Sequence, residues 1–137
     1  MAGNVAYGYR FGPRVPVSMA VDSSAATLEV GHLVTLATAG YIKECASGDE
    51  PYGVVMERTT APSADGDKSI LIDISREAVY ELPPDSGTVT QALVMTAKDV
   101  GGAQSCAIAS STDKSLEIVR VDTSANTVFA RISPTFS

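Results

Sequence analysis

The chain has 137 residues, enough to bury a core without help from disulfides or a metal. It contains no Trp, and its eleven Gly and seven Pro are spread along its length, which disfavours a helical protein and any long disordered tract. The formal net charge of −6 makes it a poor partner for phosphate backbones, so no nucleic-acid partner is expected.

Charge is distributed unevenly. Residues 1–21 carry Arg10 and Arg14 and no carboxylate, and all sixteen acidic residues follow from Asp22 onward. The expected organisation is an extended N-terminal arm (1–21) ahead of a β-barrel or sandwich body (22–137). In the arm, Gly3, Gly8, Gly12, Pro13 and Pro16 oppose helix. Tyr7, Tyr9 and Phe11 alternate with Gly8 and Arg10, so an extended chain would put the three rings on one side. Aromatics and Arg are the usual anchors of interfaces, which makes Tyr7, Tyr9, Arg10, Phe11 and Arg14 the candidate partner-binding residues. Val15, Val17, Met19 and Val21 then alternate with small residues. That is strand periodicity, with Pro16 marking an edge or a strand start.

The body reads as short strands between turns. Strands are expected at 32–36, 41–45, 52–58, 69–74, 78–82, 89–97, 104–109, 116–121 and 127–132. Turns or loops are expected at 37–40, 47–51, 59–68, 83–87, 98–102 and 122–126. The last two strands form a hairpin. Residues 23–30 and 89–95 are each able to form one helical turn but lack a 3.6-residue apolar stripe. The fold class is therefore all-β: a small barrel or sandwich of short, mostly antiparallel strands. An internal echo runs through it. Residues 32–36, Gly40, Cys45 and 53–58 are followed by 92–96, Gly101, Cys106 and 116–120 in the same order, suggesting two related β-units in one barrel.

Catalytic chemistry finds little support. His32 is the sole histidine and begins a strand, and no Gly-x-Ser-x-Gly elbow is present. Cys45 and Cys106 have no metal-like spacing, and two reduced buried thiols are expected. Asp65-Gly66-Asp67 lacks the other positions of a calcium loop, and Gly101-Gly102 is not followed by a phosphate-binding Lys. Glu77 with Glu81, and Asp49 with Glu50, carry nothing to set them apart from surface charges. No enzyme activity, cofactor or metal is expected. No apolar run reaches membrane-spanning length and no signal-type apolar region opens the chain, so synthesis in the cytoplasm as a soluble protein is expected.

From about Val30 the order of features resembles the capsid cement or decoration proteins of tailed bacteriophages. Gly31-His32-Leu33-Val34-Thr35-Leu36 is similar to that family's Gly, polar, aliphatic, Val strand, and Ala39-Gly40-Tyr41-Ile42-Lys43 to its turn into the next strand. Ser47-Gly48-Asp49-Glu50-Pro51-Tyr52 leading into Gly53-Val54-Val55 resembles its loop and Gly-Val-Val strand. Ile72-Asp73-Ile74, Val79-Tyr80-Glu81-Leu82 and the closing hairpin follow the same plan, while the longer arm and Pro83-Pro84 depart from it. The resemblance implies a homotrimer that binds the major capsid protein shell on the outer surface of the expanded head and stabilises the virion without chemistry. The alternatives are another virion part, such as a head-completion or tail protein, and a small β-barrel module binding a ligand or peptide. An enzyme remains only if a subunit interface assembles acidic groups with His32.

Overall fold

The computed structural model describes residues 8–133, and Tyr7 lies outside them. Eleven strands form: β1 (Gly8–Phe11), β2 (Pro16–Ala20), β3 (Leu33–Leu36), β4 (Ile42–Glu44), β5 (Gly53–Val55), β6 (Ser69–Asp73), β7 (Val79–Leu82), β8 (Ala97–Gly102), β9 (Ser105–Ala107), β10 (Leu116–Asp122) and β11 (Thr127–Ile132). The only other regular elements among the described residues are 3-10 turns at Thr38–Gly40 and Gln91–Leu93. Every ladder between these strands is antiparallel.

The strands build two sheets, one of five in the order β2-β6-β5-β3-β4 and one of six in the order β1-β7-β11-β10-β8-β9. The all-β expectation holds, and the form is a sandwich rather than a closed barrel. Register explains how the sheets pack. Leu33, Val54 and Asp73 lie opposite one another across β3, β5 and β6, so they share a face. Leu33 and Val54, with Cys45, join one core with Tyr80, Leu82, Val100, Cys106, Leu116, Ile118, Val128, Ala130 and Ile132 of the six-stranded sheet. The opposite face of the five-stranded sheet offers Val34, Ile42, Val55, Ile70 and Ile72, covered by Val21, Ala25 and Leu28. Alternating apolar residues on β3 and β5 thus serve two cores at once, which is why those strands are apolar at successive positions.

The two sheets repeat one topology. Leaving β1 aside, strands taken in chain order as first to fifth lie first-fifth-fourth-second-third in both sheets: β2-β6-β5-β3-β4 and β7-β11-β10-β8-β9. In each, a parallel bridge links the residues just past the first strand to the third: Val21 to Ile42, and Pro84 to Cys106. The next residue closes it alike, Asp22 N–H donating to Ile42 O at 2.9 Å and Asp85 N–H to Cys106 O at 2.8 Å. Each sheet therefore curls around its own core side.

The internal echo has its counterpart here, with two corrections. The units occupy separate sheets rather than one barrel. The strand that corresponds to β3 is β8, not 92–96. Residues 89–97, expected as a strand, instead carry the 3-10 turn and then Met95 at φ 68, and the expected turn at 98–102 is strand β8. The reason lies in Asp99. Its carboxylate accepts hydrogen bonds from the N–H groups of Thr112, Asp113 and Lys114 at 3.1, 2.8 and 2.9 Å and from Ser110 Oγ, so a charged residue sits buried in a strand. The expected strand at 52–58 is shortened to Gly53–Val55, and 23–30 holds no helical turn but an isolated bridge from Leu28 to Thr59.

Candidate interaction surface at the N-terminal strands

The segment expected as an arm is extended from Gly8 to Ala20, and it supplies a strand to each sheet. β1 pairs with β7 and β2 with β6, joined by a corner at residues 12–15. Gly12 makes the corner possible. Its φ is +98, and a Cβ there would stand 2.6 Å from the carbonyl oxygen of Glu77. Ser75 Oγ donates to Pro13 O at 2.7 Å, tying this corner to the connection between β6 and β7.

Beneath the corner lies a polar seam between the sheets. Asp73, 1% exposed, accepts from Val15 N–H at 2.8 Å, Ser75 N–H at 2.9 Å, Arg14 Nε at 3.2 Å and the Tyr80 hydroxyl. Burial pushes the Asp73 carboxyl up, but these donors, led by Tyr80, outweigh it and hold the group below the usual carboxylate range. Burial and the bond to Asp73 raise the Tyr80 phenol well above its ordinary range. The Arg14 guanidinium lies 4.2 Å from the centroid of Tyr9, and Tyr9 meets Tyr80 edge-on at 5.8 Å. Tyr9 also donates to Gly12 O at 2.6 Å. Arg10 Nε binds Glu81 at 2.8 Å, and Thr127 donates to the other Glu81 oxygen.

The sequence-derived residues are thus brought together, in unlike roles. Arg10 and Arg14 bind carboxylates of the body. Tyr9 bridges the seam and the surface, at 36% exposed, and Phe11 is 48% exposed. A bulge between Tyr9 and Phe11 interrupts the strict alternation that would align the rings. Two aliphatic residues extend the exposed surface. Val15 is 46% exposed at the corner, and Val30 is 60% exposed where the backbone of Gly31 runs close to Gly8. Sequence reasoning missed Asp73, Tyr80 and Glu81. Their arginine partners are 59, 66 and 71 positions away.

Elsewhere the polar groups weighed from sequence have structural partners. His32 Nδ1 accepts from Glu29 N–H at 3.2 Å, and burial lowers its pKa. Asp65 accepts from Ser23 N–H at 2.8 Å. Cys45 and Cys106 are free, buried thiols; burial raises both, Cys106 to about 12, so neither is a ready thiolate. No cluster of three His, Cys, Asp or Glu suited to a metal occurs among the described residues. A cleft of about 270 Å³ lies beside Met95, Glu117, Val119 and Arg131, below the roughly 300–1,000 Å³ typical of ligand pockets. No family model, curated protein or solved structure matches the chain.

Proposed function

We propose that this chain is a tailed-phage capsid decoration protein that adheres to the outer surface of the expanded head and stabilises the shell. The observation that carries the reading is the surface of Tyr9, Phe11, Val15 and Val30, exposed on a segment whose backbone is tied into both sheets. Contact groups fixed before binding lose little entropy on docking. Aromatic anchors suit an adhesive role. Arg10 and Arg14 position the strand in this reading, while Tyr9 and Phe11 supply the contact. Binding many copies to the native shell would stabilise it by mass action. The order of sequence motifs that resembles the cement proteins supports the same conclusion.

The test is co-sedimentation with expanded, undecorated heads of the phage that encodes the chain. Removing residues 8–20 would strip an edge strand from each sheet, so point variants are the sharper probe. The full chain is expected to bind saturably. Phe11→Ala with Val15→Ala is expected to weaken binding by more than about tenfold, the effect of losing roughly 1.4 kcal/mol or more. Absence of binding by the full chain would remove the reading. Undiminished binding by the variant would keep the role and move the contact elsewhere on the body.

A further inference from the structure

The repeat extends to one turn in each unit, and there the units differ in chemistry. Residues 29–32 and 93–96 lead into the second strands of their units, β3 and β8. In the first turn His32 N–H donates to Glu29 O at 3.0 Å, Gly31 N–H to Val55 O at 3.0 Å and Val55 N–H to His32 O at 2.9 Å. In the second, Thr96 N–H donates to Leu93 O at 3.1 Å, Met95 N–H to Ile118 O at 2.8 Å and Ile118 N–H to Thr96 O at 2.9 Å. The third residue of each has positive φ, Gly31 at 94 and Met95 at 68, as a type II turn requires. The fourth residue then fastens the turn with its side chain. Thr96 Oγ1 donates to Leu93 O at 2.6 Å, whereas His32 Nδ1 accepts from Glu29 N–H at 3.2 Å. One fastener is a hydroxyl that does not titrate near neutrality, and the other is the chain's single histidine. We propose that His32 is a proton-operated latch, which holds the turn carrying Val30 closed while its ring is neutral and releases it when Nδ1 takes a proton.

The direction of the hydrogen bond is what makes the latch sensitive. A ring that accepts at Nδ1 carries its proton on Nε2, and a second proton turns Nδ1 into a donor. Two donors, Nδ1–H and the Glu29 N–H, would then face each other. Burial lowers the His32 pKa and outweighs the opposing pull of Glu29 and Glu44. A folded value below the ordinary one means the closed turn is fully favoured above about pH 6.5 and is lost as pH falls through the lower folded value. Thr96 gives the second turn no such dependence.

The surroundings supply few other charges. Glu29 acts on the ring from its own turn and Glu44 from β4. Both are engaged, Glu29 by Arg58 Nε at 3.0 Å and Glu44 by the Ala26 N–H at 3.0 Å. β5, with the sequence GVV, carries no charged residue, and neither does Ala103, whose carbonyl accepts from Leu33 N–H. β1 approaches the turn through Gly8, and its Arg10 is held by Glu81. The latch sits where it can matter. Val30, the second residue of the turn, is 60% exposed and belongs to the surface assigned above to the shell contact. A consequence for head binding rests on that reading, while the latch itself does not.

The test is amide hydrogen exchange of the full chain, read residue by residue by NMR and expressed as protection factors at about pH 7.5 and about pH 5. The opening is confined to one turn, so the global urea transition is not its readout. Protection at Glu29, Gly31 and His32 is expected to fall at least about tenfold at the lower pH, while Met95 and Thr96 hold theirs within about twofold. His32→Asn offers an acceptor oxygen that takes no proton, and should keep the turn protected at both values. His32→Thr copies the second unit and serves if the asparagine variant fails to fold. Wild-type protection that does not change with pH would overturn the inference. So would an equal loss at Met95 and Thr96, or a folded variant that loses protection as the wild type does. Exchange is read on the free protein, so failure of the latch is distinguishable from failure of the shell reading.

Discussion

The two β-units share their strand order and their closing bridge, yet they are finished differently. The unit built on β7 to β11 has its first-strand edge covered by β1 and its second strand anchored by the buried Asp99. The unit built on β2 to β6 has no counterpart of β1 among the described residues, its first strand being met on that side by the Val21–Ile42 bridge, and it relies on Asp73 at the end of β6 to join it to its neighbour. The difference teaches that equal topology does not imply equal surface. Whether an edge is closed depends on one short strand, and β1 is delivered to β7 by a corner only four residues long.

The strongest way to break the pairing of units is to remove its buried carboxylate. Asp73→Ala leaves Tyr80, Val15 and Ser75 without their acceptor and Arg14 without its counter-ion. It is expected to cost about 3–5 kcal/mol. Urea unfolding followed by tyrosine fluorescence and far-UV circular dichroism will measure it. A loss under about 1 kcal/mol would show that the apolar core alone joins the sheets.

Gly12→Ala tests the corner. The positive φ and the nearby Glu77 carbonyl leave no room for a Cβ, so a loss of at least about 1–3 kcal/mol is expected, by the same measurement. Tyr9 and Phe11 should then hold their positions less firmly, and head binding should fall with stability.

The smallest effect is the pH dependence near neutrality, which should be flat for Asp73 and Asp99. Asp73 and Asp99 both have folded-state pKa values below the ordinary range, because hydrogen bonds outweigh burial at each. Their contribution is therefore fully present above the unfolded value of about 3.9 and is lost as pH falls through the lower folded values. Urea midpoints should hold from about pH 8 to 5 and decline below about 4. The wild type should lose more across that acid range than Asp73→Ala does; equal losses would assign the acid sensitivity to other groups.

Much of the fold was legible along the chain. Alternation located β2, β6, β10 and β11, and the Pro83-Pro84 stop bounded β7, a strand buried at every position. The Gly- and Pro-rich breaks placed most of the loops, and the spacing of Cys45 and Cys106 marked the repeat. The stretch at 89–102 was misread because Asp99 and two glycines look like a turn until a loop more than ten residues away supplies the donors. The candidate surface was legible in composition, as rings and arginines before an acidic body, but not in function. Whether Arg10 and Arg14 reach outward or inward depends on Glu81 and Asp73, and local sequence carries no record of such distant partners.

The sequence by itself determined that this is a β protein of short strands with an aromatic, basic first segment, since period, turn chemistry and charge are local properties. Only the tertiary structure decided which strand edges are covered, which carboxylates are buried, and where the first segment lies. Those outcomes arise from pairings between residues far apart in the chain, and their energies exist only once the sheets have met.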